Sequence, residues 1–256
     1  MPSRQKKGSA RWVLYTILIL IAVFGGWMIS KWIAYQKAKF THYPEFGINI
    51  PNEYSIHGID VSKYQSLIAW EEVKEMNVNN IQLGFAFIKA TEGIGNTDRQ
   101  FRRNWRKSKS NDIIRGAYHF FIATKDGKMQ AENFIERVDL EPGDLPPVLD
   151  VEYNYGISKT QLQKEVRKWL ATVENYYKVK PIIYTNVDFY NKNLGEDFDS
   201  YPLWIAHYYQ HQRPRITRQW SFWQHSDVGN VDGIVSKVDF NVFNGDSLQF
   251  KQLLVP

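Results

Sequence analysis

The chain is predicted to be an α/β protein, an irregular (β/α)8-like barrel with shortened or missing helices in its second half, preceded by one N-terminal transmembrane helix. Three observations predict it. Beyond residue 54, apolar runs of strand length alternate with stretches of helical period. Eight such runs fit into about 200 residues, near the lower limit for a closed eight-stranded barrel. Ahead of them lie 19 consecutive uncharged residues, Trp12 to Ser30.

Residues 1–11 form a basic arm, expected on the cytoplasmic side, and residues 12–30 a membrane anchor. As a helix rising ~1.5 Å per residue, the anchor spans ~28 Å, one hydrocarbon core. It exceeds the h-region of a cleaved signal peptide, and no small-x-small cleavage site follows. Arg4, Lys6, Lys7 and Arg11 precede it, which by the positive-inside rule puts the body on the extracytoplasmic side, periplasmic or cell-surface. Trp12, Tyr15, Trp27 and Trp32 stand near its two ends, where amphipathic rings favour the headgroups. Residues 31–54, with Pro44, Gly47 and Pro51, show no clear period and are expected to be a tether.

The body, residues 55–256, carries the strand candidates Ser55 to Val61, Ile81 to Lys89, Ile114 to Phe121, Pro147 to Tyr153, Pro181 to Asn186, Leu203 to Tyr208, Ser221 to Ser226 and Lys237 to Phe243. Helical stripes fill most gaps. Leu67, Trp70, Val73 and Met76 recur at three; Phe101 and Trp105 are four apart; Met129, Phe134, Ile135 and Val138 share a face. The clearest helix starts at Ser158, where Ser158 and Gln161 have the spacing of a capping box. Leu162, Val166, Trp169, Leu170 and Val173 then trace one face.

Composition narrows the chemistry. With no cysteine, disulfide frameworks, thiolate metal sites and cysteine nucleophiles are excluded. The net charge of +5 belongs to the front of the chain: residues 1–40 hold seven basic and no acidic residues, leaving 25 basic and 27 acidic residues in the rest. A slightly acidic body argues against a nucleic-acid partner. No G-x-G-x-x-G, P-loop or G-x-S-x-G occurs, so nucleotide and serine-hydrolase readings lack support.

In PPVLDVEY, Asp150 and Glu152 are two apart, so on a strand both carboxyls project from one face with Val148 behind them. Like charges in a partly dry cleft push their pKa values apart, keeping one carboxyl protonated beside an ionised neighbour. Glycoside hydrolysis needs that division. Asp60 ends the first strand and Asp239 lies in the last, where it alternates with Asn241; first and last strands meet when a barrel closes. Four acids from three strands then share one opening. Aromatics crowd the same strand ends, and flat rings suit sugars: Tyr64, Tyr118, Phe121, Tyr153, Tyr184, Trp204, Tyr208 and Trp223.

The ordered series GIDVSKYQ, FAFIKATEG, GAYHFF, PPVLDVE, IIYTN, PLWIAHY, FWQHS and VDFNVF, from Gly58 to Phe243, closely resembles glycoside hydrolase family 25, the Ch-type lysozymes. The resemblance implies an N-acetylmuramidase cutting the β-1,4 bond between N-acetylmuramic acid and N-acetylglucosamine in peptidoglycan, on an irregular β/α barrel, without metal or cofactor. By matching position, Glu152 is implied as general acid/base, Asp150 as its partner at the anomeric carbon, and Asp60 and Asp239 as supporting acids. Tyr64, Tyr118, Tyr153, Tyr184, Trp204, Tyr208, Trp223 and Asn241 are the expected substrate-binding residues. The anchor is no part of the family pattern, and His207 is given no role. Retention of configuration is expected, with the attacking group left open between Asp150 and the substrate's own acetamido oxygen.

Two other readings compete. One is a catalytically inactive peptidoglycan-binding module of the same fold, against which the presence of all four acids argues. The other is a metal-dependent hydrolase built on His57, Asp60, His119 and the acid pair. It is disfavoured because His57 and Asp60, three apart, face opposite sides of a strand. Oligomeric state is not legible.

Overall fold

The computed structural model describes residues 7–37, 39–210 and 212–256. Residues 1–6 of the expected basic arm lie outside the described residues. Helix α1 (Lys7–Lys37) contains Trp12–Ile33, a stretch long and apolar enough to cross a bilayer and not buried against the body.

The segment expected to be a tether is built differently from Phe40 onward. Strands β1 (Phe40–Tyr43) and β2 (Ile48–Pro51) form an antiparallel hairpin. Its apolar residues Phe46, Ile48 and Ile50 are buried in the main core. Phe46 sits 5.3 Å from Phe240, ring to ring, and Phe40 meets Trp223 edge-on. Burying each such side chain contributes about 1.5–3 kcal/mol, which holds this short hairpin on the barrel wall. The alternation of Ile48 and Ile50 around exposed Asn49 was the available strand signal.

Eight strands close a barrel: β3 (His57–Val61), β5 (Ile81–Glu92), β7 (Ile114–Phe120), β8 (Val148–Asp150), β9 (Ile182–Asn186), β10 (Leu203–Ala206), β11 (Phe222–Val231) and β12 (Ile234–Phe243). The two-residue strands β4 (Asn77–Val78) and β6 (Asn96–Thr97) edge β5. All eight expected strands are present, in chain order around the wall. Neighbours pair in parallel from β3 through β11. Strand β12 departs from the parallel pattern, running antiparallel to both β11 and β3 to complete the circle.

Helices α2 (Trp70–Glu75), α3 (Phe101–Ser110), α4 (Gly127–Ile135) and α5 (Lys159–Tyr177) cross between the first five barrel strands. Between β9 and β10 lie a single turn, α6 (Val187–Phe189), and two further short helical turns; among the described residues no helix lies between β10 and β11, and β11 turns directly into β12. At that turn Gly233 has φ +82°, and a side chain there would come within 2.4 Å of the Ala69 carbonyl, so glycine fits both the left-handed backbone and the close approach. Leu67, included in the first helical stripe, precedes α2 and is exposed. At α5, Ser158 caps the Gln161 N–H at 3.2 Å, but the Gln161 side chain turns to Glu165 Oε1 at 3.0 Å, so half of the expected capping box forms.

Two apolar layers result. Outward-facing strand residues such as Leu149 and Val151 pack under the helices with Trp169. Inward-facing residues, including Phe85, Phe87, Val148, Ile182 and Phe222, fill the barrel. Gly58 leaves the space that the Phe85 ring occupies; a Cβ there would lie 2.5 Å from it. Helix α7 (Ser247–Leu253) closes the bottom with Phe250, which contacts Phe85, Phe222 and Phe243. The open end is therefore the one at which β3 and β8 finish.

Candidate active site

At that open end a cavity of about 280 Å³ is lined by Asp60, Asp150, Glu152 and Asp239, all four expected acids. Asp60 and Asp239 are register partners across β3 and β12. Asp239 reaches the mouth only because β12 is reversed: it lies mid-strand, not at a C-terminal end as the parallel pattern implied. Asp150 ends β8 beside Tyr184, and Glu152 follows where the chain leaves the barrel.

Burial disfavours every one of these charges. It holds Asp60 well above the usual carboxylate range, with the Asp239 charge adding to the rise and donors from Asn241 and Gln224 opposing it. Asp239 is raised by burial to about 6. Asp150 is pushed well above its ordinary value by burial and then by the Glu152 charge, and Lys89 opposes both. Burial also raises Glu152, against a hydrogen bond from Asp150 and the Lys89 charge. Asp150 Oδ1 is buried without a hydrogen-bond partner, which disfavours an ionised Asp150, and the carboxyl is hydrogen-bonded to Glu152.

Most of the expected aromatics gather here. Tyr64, Tyr118, Tyr184, Trp204 and Tyr208 line the cavity. Trp204 forms its floor, stacked on Phe87 at 4.3 Å. Tyr153 lies beside it, in an adjoining hollow of about 370 Å³ with Tyr155, Phe189 and Glu152. Trp223 does not belong. The alternation of β11 turns Phe222 and Gln224 inward and Trp223 outward, where it is fully buried, donates to the His207 carbonyl at 2.9 Å and packs edge-on against Tyr54 and Trp220. Phe121 likewise lies in the outer layer. Asn241 is buried beneath the cavity and donates to Asp60 Oδ2 at 2.8 Å, so it supports an acid without facing a ligand.

Sequence reasoning missed Gln224 and Lys89. Gln224 is buried and donates to Asp60 Oδ2 at 2.7 Å. Lys89 pairs with Glu92 at 2.7 Å and lies over the Phe120 ring at 4.5 Å, bringing a cation to the acid pair. A buried polar residue alternating with apolar ones was the available signal for both. His57 and His119 point into the outer layer, away from Asp60; His119 is held by Thr91 at 2.7 Å and stacks on Trp169.

The sequence profile of Glycosyl hydrolases family 25 matches residues 59–234, more than half of the chain. The chain belongs to glycosyl hydrolase family 25. YegX of Escherichia coli K12 is 50% identical over 218 residues, covering 83% of this chain and 80% of its own. Lysozyme M1 of Streptomyces globisporus is 35% identical over 218 residues, 77% of this chain and 71% of its own. A family 25 glycosyl hydrolase from Bacillus anthracis superposes with a TM-score of 0.73 at 30% identity, covering 84% of this chain and 96% of that one. The chain is thus a glycoside hydrolase on the eight-stranded barrel of the family 25 lysozymes.

Proposed function

We propose that this family 25 hydrolase is a membrane-anchored muramidase that cuts the β-1,4 bond between N-acetylmuramic acid and N-acetylglucosamine in peptidoglycan, with retention of configuration. The observation that carries this reading is the convergence of four carboxyls, all with raised proton affinity, on one aromatic-lined cavity. Such crowding costs stability and finds its use in acid/base work.

Glu152 is the proton donor in this reading. It is the more open member of a carboxyl pair that shares a proton, and a glycan seated in the cavity strips water from it, drawing the proton onto its oxygen. Glu152 then protonates the departing glycosidic oxygen as positive charge develops at the anomeric carbon. Asp150 and Glu152 are neighbouring carboxyls joined by a hydrogen bond. An Asp150 engaged in this way is suited to orienting the substrate's own acetamido oxygen, and attack by that oxygen is the route favoured here over attack by Asp150 itself. Asp60 and Asp239 share a hydrogen bond, and the single charge this pair carries faces the developing cation.

Anchoring through residues 12–30 is supported by the length and apolar character of α1, and an extracytoplasmic body by the basic residues before it. The chain enters the body through Lys39, whose carbonyl accepts from Asn52 N–H at 2.8 Å.

Full-length protein in detergent should clear a suspension of purified peptidoglycan. Mass analysis of the released muropeptides should find muramic acid at the reducing end; glucosamine there would overturn the bond assignment. Proton NMR of the first product should show the β-anomer, and an α-anomer excess would overturn retention. Extraction of membranes at alkaline pH should leave the chain in the pellet, and release into the supernatant would remove the anchor.

A further inference from the structure

Beneath the acids runs a chain of hydrogen bonds whose direction is fixed from one end. The Trp204 indole N–H can only donate, so Asn241 turns Oδ1 toward it at 2.7 Å and its amide nitrogen toward Asp60 Oδ2 at 2.8 Å. Asp60 Oδ2 is thereby an acceptor. Gln224 presents its own amide nitrogen to the same oxygen at 2.7 Å, which leaves Gln224 Oε1 accepting on the opposite side. Both neighbouring phenols donate to it, Tyr184 at 2.7 Å and Tyr208 at 2.5 Å. A phenol has one proton. Tyr208 is directed at Gln224 and Tyr184 at Gln224 or at the neighbouring Tyr208 oxygen, so both protons stay within this cluster and what the two phenols offer to the cavity they line is the lone pairs of their oxygens.

We propose that Gln224 is a positioning residue that turns the Tyr184–Tyr208 wall into a hydrogen-bond acceptor, so that the substrate group seated against it is a donor, a sugar hydroxyl or the N–H of a 2-acetamido group. The inference rests on the muramidase reading and adds a specificity rule to it. A group that can only accept, such as an ether or ester oxygen, meets lone pairs at this wall and is rejected. The reason lies in the geometry: an unmade hydrogen bond in a closed site costs more than the made one contributes.

Two substitutions separate positioning from bulk. Gln224→Leu removes both amide functions, frees the phenol protons and should lower kcat/KM by at least about tenfold. Gln224→Glu has a pH-dependent outcome. When neutral, its hydroxyl can donate to Asp60 and its carbonyl can accept both phenols, as the amide does. When ionised it still accepts both phenols but can no longer donate to Asp60, so that two acceptor oxygens face each other there. The titratable groups facing it are Asp60 from β3, Asp239 from β12, Tyr184 from β9 and Tyr208 beyond β10, with Glu152 acting on both phenols across the cavity. The ratio of Gln224→Glu to unsubstituted kcat/KM should therefore climb about tenfold or more from pH 8 to pH 5, while the Gln224→Leu ratio stays flat.

In a Tyr184→Phe, Tyr208→Phe background, Gln224→Leu should add little further loss. A flat ratio for Gln224→Glu, a Gln224→Leu enzyme within twofold of the unsubstituted one, or fully additive losses would overturn the proposal. Calorimetric binding of a purified disaccharide muropeptide to the same full-length variants gives an independent readout. Absence of released muropeptides from the unsubstituted chain counts against the muramidase reading alone, whereas unchanged muropeptide affinity in Gln224→Leu counts against the positioning role.

Discussion

The cavity holds two carboxyl pairs that arise differently. Asp60 and Asp239 come from two strands, meeting because β12 is registered against β3, and Asp60 Oδ2 takes two amide N–H donors from buried side chains. Asp150 and Glu152 come from one stretch of chain, and Asp150 Oδ1 has no N–H donor, with Lys89 the nearby cation. Each pair shares a hydrogen bond between its own two carboxyls. The first is also braced by two amide donors on Asp60, whereas the second has the Lys89 charge nearby in their place. The contrast teaches that what lies behind each carboxyl, fixed amides or a single cation, distinguishes two otherwise similar pairs.

Removing the proposed proton donor should have the largest effect. Glu152→Gln keeps the shape but cannot protonate the leaving oxygen, so kcat should fall about 10³-fold or more while the thermal midpoint stays within a few degrees. Clearing assays with a matched melting curve check this, and a variant retaining a tenth of the rate would erase the distinction between the pairs. Asp150→Asn should lose about 10²-fold in kcat with KM little changed, because orientation suffers more than binding. A loss confined to KM would mean that Asp150 merely holds the sugar.

The braced pair should respond in stability as well as in rate. Asp239 is raised from 3.8 to about 6, so its contribution to stability is full below 3.8 and is lost as pH rises through 6. Asp239→Asn removes that penalty and should stabilise the fold by about 1–2 kcal/mol at pH 8, with little gain at pH 4, while lowering activity. Urea unfolding at the two pH values reads it, and a variant destabilised at both would mean the second carboxyl is structurally required. The smallest expected effect comes from outside the cavity. Burial lowers His57 to about 4 and His225 to about 3, so both stay neutral in the fold but charge in the unfolded chain below 6.5. Stability should decline as pH falls from 6.5 toward 4, and His225→Leu should flatten that decline by about 1 kcal/mol. An unchanged slope would remove the histidines from the account and leave acid inactivation to the carboxyls.

Much of this was legible in order and period. The eight strands, four crossover helices and four acids follow from local patterns, since alternation on a strand decides which side chains share a face. The failures are specific. Residues 40–51 passed for a tether because a hairpin with two buried isoleucines has too little periodicity to stand out until Phe240 and Trp223 are there to receive it. Trp223 passed for a ligand contact because an aromatic at a strand end looks alike on either face. Its neighbour Gln224, with the less conspicuous side chain, is the one that turns in. Strands β11 and β12 were drawn short because bulges between Gln224 and Val231 break the period of two.

The amino-acid sequence on its own determined the number of strands, the apolar N-terminal helix and the pairing of Asp150 with Glu152, all properties of residues within a few positions of one another. Tertiary structure alone decided that β12 runs backward, so that Asp239 meets Asp60 from mid-strand, and that Trp204, Asn241 and Gln224 fix the direction of the hydrogen bonds behind them. The reason is that a carboxyl's proton affinity and a donor's orientation depend on groups brought within about 3 Å by closure of the barrel, some of them more than a hundred residues away along the chain.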